Sequence, residues 1–218
     1  MNIVDQIRRD WETHQQRGTH AIPGQPWGYQ WGGATIFEQM EAYNVSQYLT
    51  SPVLDVGCGG GKWSKWLIDT WGLEVIGIDV HPVAIQQSQA YEPRATYKLT
   101  DGESLPFGDG EVGSVFIFDV LLHLPMPLVE RYFQEAHRVA RHSLLFVLPD
   151  MDTERGAAMF MQAVRAKVWQ VPFTYGYMTY YTRGQVEAML RLAGWEEWQF
   201  LGHVGVAEPR EMLYVAYK

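Results

Sequence analysis

Three glycines at alternate positions, Gly57, Gly59 and Gly61, with Gly60 among them, follow an apolar run from Pro52 to Val56 that contains one acid, Asp55. Glycine has no Cβ, so a stretch rich in it turns tightly and lets its backbone N–H groups approach a ligand. A helical pattern begins at once, with Trp63, Trp66, Leu67 and Trp71 on one face. The start of that helix offers further N–H groups with no intrahelical partner. Strand, glycine turn and helix form the opening unit of a nucleotide-binding α/β sheet. Asp79 closes the next apolar run, 18 residues after Gly61, the separation such a unit expects. A carboxylate there can accept from both hydroxyls of a ribose, and Val80 beside it would pack on the base. The competing reading makes Asp79 a helix cap ahead of His81-Pro82.

Spacing decides against two familiar glycine loops. A dinucleotide fingerprint starting at Gly57 needs glycine at position 62, where Lys62 stands. A P-loop ending in Gly61-Lys62 needs glycine at 56 and Ser or Thr at 63, where Val56 and Trp63 stand. What remains is an acid followed by three alternating glycines, Asp55 to Gly61. In this the chain resembles the class I S-adenosylmethionine-dependent methyltransferases, and the resemblance runs from about residue 50 to the C-terminus.

That resemblance implies roles for further residues. Asp101 would accept from the adenine amino group, with Gly102 after it giving a backbone N–H; an ordinary Asp-Gly turn is the alternative. Asp55 would hold the ammonium end of S-adenosylmethionine, or serve as a buried structural carboxylate, or both. Asp119, in the segment from Phe118 to Leu124, would contact the cofactor's amino-acid end. His123 in the same segment is the candidate general base, since histidine titrates near neutrality, with a structural histidine as the commoner reading. Lys62 is expected to be solvated. Asp150 and Asp152 follow the fifth predicted strand, where metal-dependent catechol methyltransferases carry ligands. No Asn accompanies them, so exposed turn carboxylates are the preferred reading and no metal is expected. Cys58 is read as filler within the loop. The Asn/Asp-Pro-Pro-aromatic signature of amino-group DNA methyltransferases is missing, and Arg141-His142 replaces the family's Pro-Gly-Gly turn.

Periodicity supplies the elements that would position these groups. Residues 3–17 read as a helix, residues 18–33 as a loop rich in Gly, Pro and aromatics, and Ala34 to Leu49 as a second helix. Strands are predicted at Leu73–Val80, Ala95–Leu99, Val112–Val120 and Ser143–Leu148, with helices at Pro82–Tyr91, Pro125–Ala140 and from Arg155 to Trp169. An aromatic segment from Pro172 to Tyr181 lacks clear period. Thr182-Arg-Gly-Gln185 has capping-box spacing, and two strands close the chain at Trp195–Leu201 and Met212–Tyr217. This is an α/β, doubly wound, mostly parallel seven-stranded sheet in one domain over residues 1–218, with residues 1–50 as an N-terminal helical cap and 51–218 as the cofactor-binding core. The family's ending leads us to expect the last strand to insert antiparallel.

Composition bounds the partners. Apolar content of 47%, charged content of 19% and a formal charge of −8 fit a globular protein that does not bind phosphate backbones non-specifically. No DNA partner is expected. One cysteine allows neither an internal disulfide nor a cysteine metal cluster. No run is long enough to span a bilayer and the N-terminus lacks a signal-peptide core, so a cytoplasmic protein is expected. The implied activity is methyl transfer from S-adenosylmethionine to a small molecule, at oxygen more than at nitrogen or carbon. Trp27, Tyr29, Trp31, Tyr177, Tyr180 and Tyr181 would line the acceptor pocket, about half of them as core packing. A methyltransferase acting on protein or RNA, or a non-catalytic binding subunit, are the alternatives. Oligomeric state is not readable.

Overall fold

The structure, a computed structural model, describes Arg9 and residues 33–165, 171–173, 176–205 and 211–218. The predicted helix over 3–17, apart from Arg9, and the loop over 18–32 lie outside the described residues. Helix α1 (Gly33–Ala42) leads through a turn of 3-10 helix (Val45–Tyr48) into β1 (Val53–Val56). Then come α2 (Lys62–Trp71), β2 (Val75–Asp79), α3 (Pro82–Tyr91), β3 (Thr96–Leu99) and β4 (Val112–Ile117). A second 3-10 turn (Leu121–His123) precedes α4 (Met126–Val139) and β5 (Ala140–Pro149). Helix α5 (Glu154–Arg165), β6 (Val171–Phe173), β7 (Gly176–Met178), α6 (Arg183–Leu192), β8 (Glu197–Val204) and β9 (Glu211–Tyr217) complete the chain.

Seven strands form one sheet in the order β3-β2-β1-β4-β5-β9-β8, parallel except that β9 runs antiparallel to both β5 and β8. The doubly wound sheet with its antiparallel insertion therefore stands as read. Because β1 lies between β2 and β4, the chain reverses its winding direction beside β1. Ligands of open α/β sheets bind at the carboxyl ends of the strands, at such a switch point.

Alternation along the strands sorts the core into two faces. Leu54, Val56, Val115, Ile117, Phe146, Leu148 and Tyr214 meet α4 and α6. Val53, Phe116, Phe118, Leu145, Val147, Leu213 and Val215 meet α1 and α2. In α2, Trp63, Trp66 and Leu67 are buried as the period predicts, each worth roughly 1.5–3 kcal/mol of apolar burial.

Several boundaries move for local reasons. The helix expected to run to Leu49 stops at Ala42, because Asn44 takes a left-handed conformation (φ 49°) that a helix cannot continue through. The fourth strand ends at Ile117 rather than Val120, since Asp119 also turns left-handed (φ 60°). The fifth strand starts at Ala140, three residues early, directly at the end of α4. The aperiodic aromatic segment holds a small antiparallel hairpin, β6 with β7. Thr182 and Gln185 form the predicted capping box of α6. Among the described residues no helix is long and apolar enough to cross a membrane.

Candidate functional site

At the carboxyl end of β1 the chain passes through Gly57, Gly59 and Gly61 with φ of 69°, 53° and 87°, conformations that side chains resist. A Cβ at Gly57 would also run into Val120, so the loop lies directly against the segment after β4. The loop is pinned to β2 by Gly57 and Cys58, whose N–H groups both donate to the Ile78 carbonyl at 2.8 and 3.0 Å.

Asp79 joins the two elements through its side chain. The Gly59 N–H donates to Asp79 Oδ2 at 3.0 Å and the His81 N–H to Oδ1 at 2.8 Å. The cap of α3 is His81, whose Nδ1 accepts from Val83 N at 3.2 Å. Asp79 is therefore not that helix's N-cap. Burial raises its carboxyl above the ordinary range, and the bonds from His81 and Gly59 pull the other way. Each oxygen retains acceptor capacity for a ligand hydroxyl. Val80, next along, is half-buried.

Asp55 is enclosed beneath the loop and accepts from Ser64 Oγ of α2 at 2.6 Å. Burial pushes its carboxyl up to about 7, against the Ser64 hydrogen bond and with the help of the Asp79 charge. Of its two readings the structure displays the buried structural carboxylate. Cys58 packs with Ile85 and Tyr97, as filler should.

Asp101 is exposed after β3 and its Oδ1 caps Glu103 N at 2.9 Å, an Asx turn. Gly102 follows with φ 78°. Helix α4 fixes this loop from below: Tyr132 donates to the Gly102 carbonyl at 3.1 Å, and Arg138 donates to the carbonyls of Phe107 and Leu105 at 2.7 and 3.0 Å.

After β4, Asp119 faces Lys62, with Oδ2 3.7 Å from Nζ. Lys62 is not solvated as expected: it is 7% exposed, and its ammonium lies 4.8 Å from the Trp63 ring centroid. Glu211, half-buried at the start of β9, feels both. Burial holds its carboxyl well above the usual range, Asp119 adds to the effect and Lys62 opposes it.

His123 sits half-buried in the 3-10 turn at this edge. That turn is clasped by Thr179, whose N–H donates to the Leu122 carbonyl at 2.8 Å and whose hydroxyl donates to the Leu124 carbonyl at 3.2 Å. Tyr180 is buried with Met151 and Met159. Tyr181 corrects its assignment to a pocket wall: its ring is wholly inside the main core, because its backbone pairs alongside Asp150 at the end of β5 and turns the side chain inward. Tyr177 lies in β7, in register with Pro172. Trp27, Tyr29 and Trp31 lie outside the described residues.

Asp150 is no exposed turn residue either. It is 1% exposed, and its Oδ2 shares a 2.6 Å hydrogen bond with Nε2 of His203, itself 27% exposed. Its Oδ1 accepts from Asp152 N at 2.7 Å. Sequence reasoning missed His203, Glu211 and Ser64. The one signal in sequence was Lys62, a lysine at the first position of a helix, where the dipole disfavours positive charge. Among the described residues no group of three or more His, Cys, Asp or Glu side chains could hold a metal ion.

Residues 53–143 match the family model described as "Methyltransferase domain". An uncharacterised methyltransferase of Synechocystis sp. is 32% identical over 120 residues, 55% of this chain and 56% of the relative. N-demethylindolmycin N-methyltransferase of Streptomyces griseus is 28% identical over 126 residues, 54% and 52% of the two chains. The chain thus spans about half the length of the curated relatives it matches. Among solved structures, magnesium protoporphyrin IX methyltransferase from Synechocystis, with bound S-adenosylmethionine, aligns over 100% of this chain and 98% of its own with a TM-score of 0.69. At 16% identity that likeness is one of fold.

Proposed function

We propose, on the premise that residues 53–143 of this chain belong to the methyltransferase-domain family, that it transfers the methyl group of S-adenosylmethionine to a small-molecule acceptor, at oxygen in preference to nitrogen or carbon. The observation that carries the reading is the bond from Gly59 N to Asp79 at the switch point of the sheet. It draws the acid proposed for the ribose together with the glycine loop.

The residues present suit this cofactor. Gly57, Gly59 and Gly61 turn the loop tightly in left-handed conformations at the carboxyl end of β1, with Gly57 packed against Val120 and Gly61 against Tyr97 and Ser88. Asp79 offers acceptors to the ribose hydroxyls, Asp101 and Gly102 polar groups to the adenine edge, and Asp119 an anion to the ammonium end. When bound, the cofactor supplies a methyl group already activated on a sulfonium. The chain's own task is then to hold the acceptor in line and exclude water, and positioning of this kind is worth several kcal/mol. The His123 turn, which Thr179 fixes through the Leu122 and Leu124 carbonyls, is proposed to border that space. An acceptor hydroxyl must shed a proton as its oxygen gains the methyl group, and His123 offers a nitrogen to take it. Trp27, Tyr29, Trp31, Tyr177 and Tyr180 are proposed as the acceptor's surroundings. The formal charge of −8 favours a small molecule over a nucleic acid.

Calorimetry with S-adenosylhomocysteine tests the cofactor. Binding in the micromolar range, about −8 kcal/mol, is expected, and Asp79→Ala should weaken it by about 1–3 kcal/mol. Unchanged affinity would reduce Asp79 to an organiser of the loop. Transfer of radiolabelled methyl from S-adenosylmethionine into a fractionated metabolite pool then tests the acceptor class; label found only in protein or RNA would overturn it.

A further inference from the structure

We propose that His81 is a positioning residue for the cofactor: as a neutral imidazole it caps α3 through Nδ1 and so holds Asp79 toward the ribose, and on taking up a proton it releases Asp79. The inference rests on the cofactor reading above and adds to it a proton-dependent control of affinity.

The first N–H of α3 belongs to Val83, because Pro82 before it has none. That N–H donates to His81 Nδ1 at 3.2 Å, while the backbone N–H of His81 donates to Asp79 Oδ1 at 2.8 Å. One residue therefore holds both the helix start and the carboxylate. Asp79 in turn reaches the glycine loop, where its Oδ2 accepts from Gly59 N at 3.0 Å. A loosened start of α3 would thus loosen Asp79, and through it the loop. To accept from Val83, Nδ1 must keep its lone pair, so the ring's single proton is on Nε2. The commoner caps, Ser, Thr, Asn and Asp, accept through an oxygen. A hydroxyl or amide cap is indifferent to pH near neutrality, and a histidine cap is not.

Histidine ordinarily takes up its second proton just below neutrality. On Nδ1 that proton would face the Val83 N–H, donor against donor, and its charge would sit at a helix end that repels cations. At 7% exposure the ring has little water to turn to. Asp79, two residues back, attracts the new charge. From the neighbouring elements, Asp55 of β1 and Tyr132 of α4 lie within electrostatic reach of Asp79, and Asp101 within that of Tyr132. A charged ring leaves the cap for Asp79 and competes with the ribose hydroxyls for its oxygens. Burial raises the carboxyls of Asp55 and Asp79, which gain protons over part of the same range. A variant at His81 keeps their contribution and isolates that of the ring.

Calorimetry of S-adenosylhomocysteine binding to the full chain, from about pH 8 down to about pH 5.5, reads the effect. His81→Ser supplies a cap that does not titrate there and should match the wild type within about twofold at the upper end. As pH falls, the wild type should lose affinity by roughly five- to tenfold more than His81→Ser, a loss within the range of an abolished cap. His81→Ala has no cap at any pH; it should bind weakly by about that factor throughout and show no extra loss in acid. Unfolding followed at each pH identifies the folded forms, and His81→Asn replaces the serine variant should that one fail to fold. Parallel profiles for the wild type and His81→Ser would overturn the proton dependence. An alanine variant as tight as the serine one would overturn the positioning role. A wild-type chain that binds S-adenosylhomocysteine at no pH would instead remove the cofactor reading itself.

Discussion

Asp150 and His203 share a hydrogen bond of 2.6 Å although 53 residues separate them in the chain. Asp150 follows β5 and His203 lies near the end of β8, with β9 between them; in register, Leu148 pairs with Met212 and Met212 with His203. A shift of register between Phe200 and Gly202 turns His203 onto the same face as Phe200, whose ring it meets edge-on at 5.2 Å. Without that bulge, strict alternation would put it on the opposite face. Gly202 leaves room for the Tyr43 ring, and the Tyr43 hydroxyl donates to the His203 carbonyl at 3.3 Å. The pair ties the carboxyl end of β5 to the edge of the sheet.

Removing either member should therefore cost stability. Asp150→Ala loses the bonds to both His203 and Asp152 N, and a decrease of about 2–3 kcal/mol in urea unfolding is expected, in the range for hydrogen bonds to a charged group. His203→Ala should cost less, because Asp150 keeps its Asp152 partner. Equal stability of Asp150→Ala and the wild type would mean that the pair is incidental.

Asp55 makes stability depend on pH. Burial pushes its folded carboxyl up to about 7, above the ordinary 3.8, so between those values the folded protein binds more protons than the unfolded one. Stability must then fall as pH rises through that window. Asp79 and Glu211, also raised by burial, act in the same direction. Asp55→Asn has no proton to exchange, and the decline in unfolding free energy between about pH 4 and 7 should become smaller by a few kcal/mol. A slope identical to the wild type would place the titration elsewhere.

His123 separates base catalysis from positioning. As a general base, its replacement by Gln would lower turnover by about 10²–10⁴ and remove a limb of the pH–rate profile near neutrality, with affinity for S-adenosylhomocysteine unchanged. We expect the smaller outcome, a loss below tenfold, because the sulfonium donor is already activated and Thr179 fixes the turn through backbone carbonyls that the substitution leaves intact. Single-turnover rates across the pH range decide between the two.

The sequence by itself determined the sheet, its winding and the placing of the glycine loop, Asp79, Asp101 and Asp119 at one edge. Those features are local. Short apolar runs declare the strands, three spaced glycines a tight turn, and 18 residues from Gly61 to Asp79 a helix with its returning strand. Tertiary structure alone decided what each polar side chain meets. Lys62 looked like a solvated helix start and is buried under Asp119; Asp150 looked like an open turn and is closed against His203; Tyr181 looked like a pocket wall and fills the core. In each case the partner comes from a distant strand or helix, or from a register shift such as the one before Gly202 that leaves no mark in a run of residues. Burial and charge pairing are properties of the space between elements, and a local window of sequence holds only one side of that space.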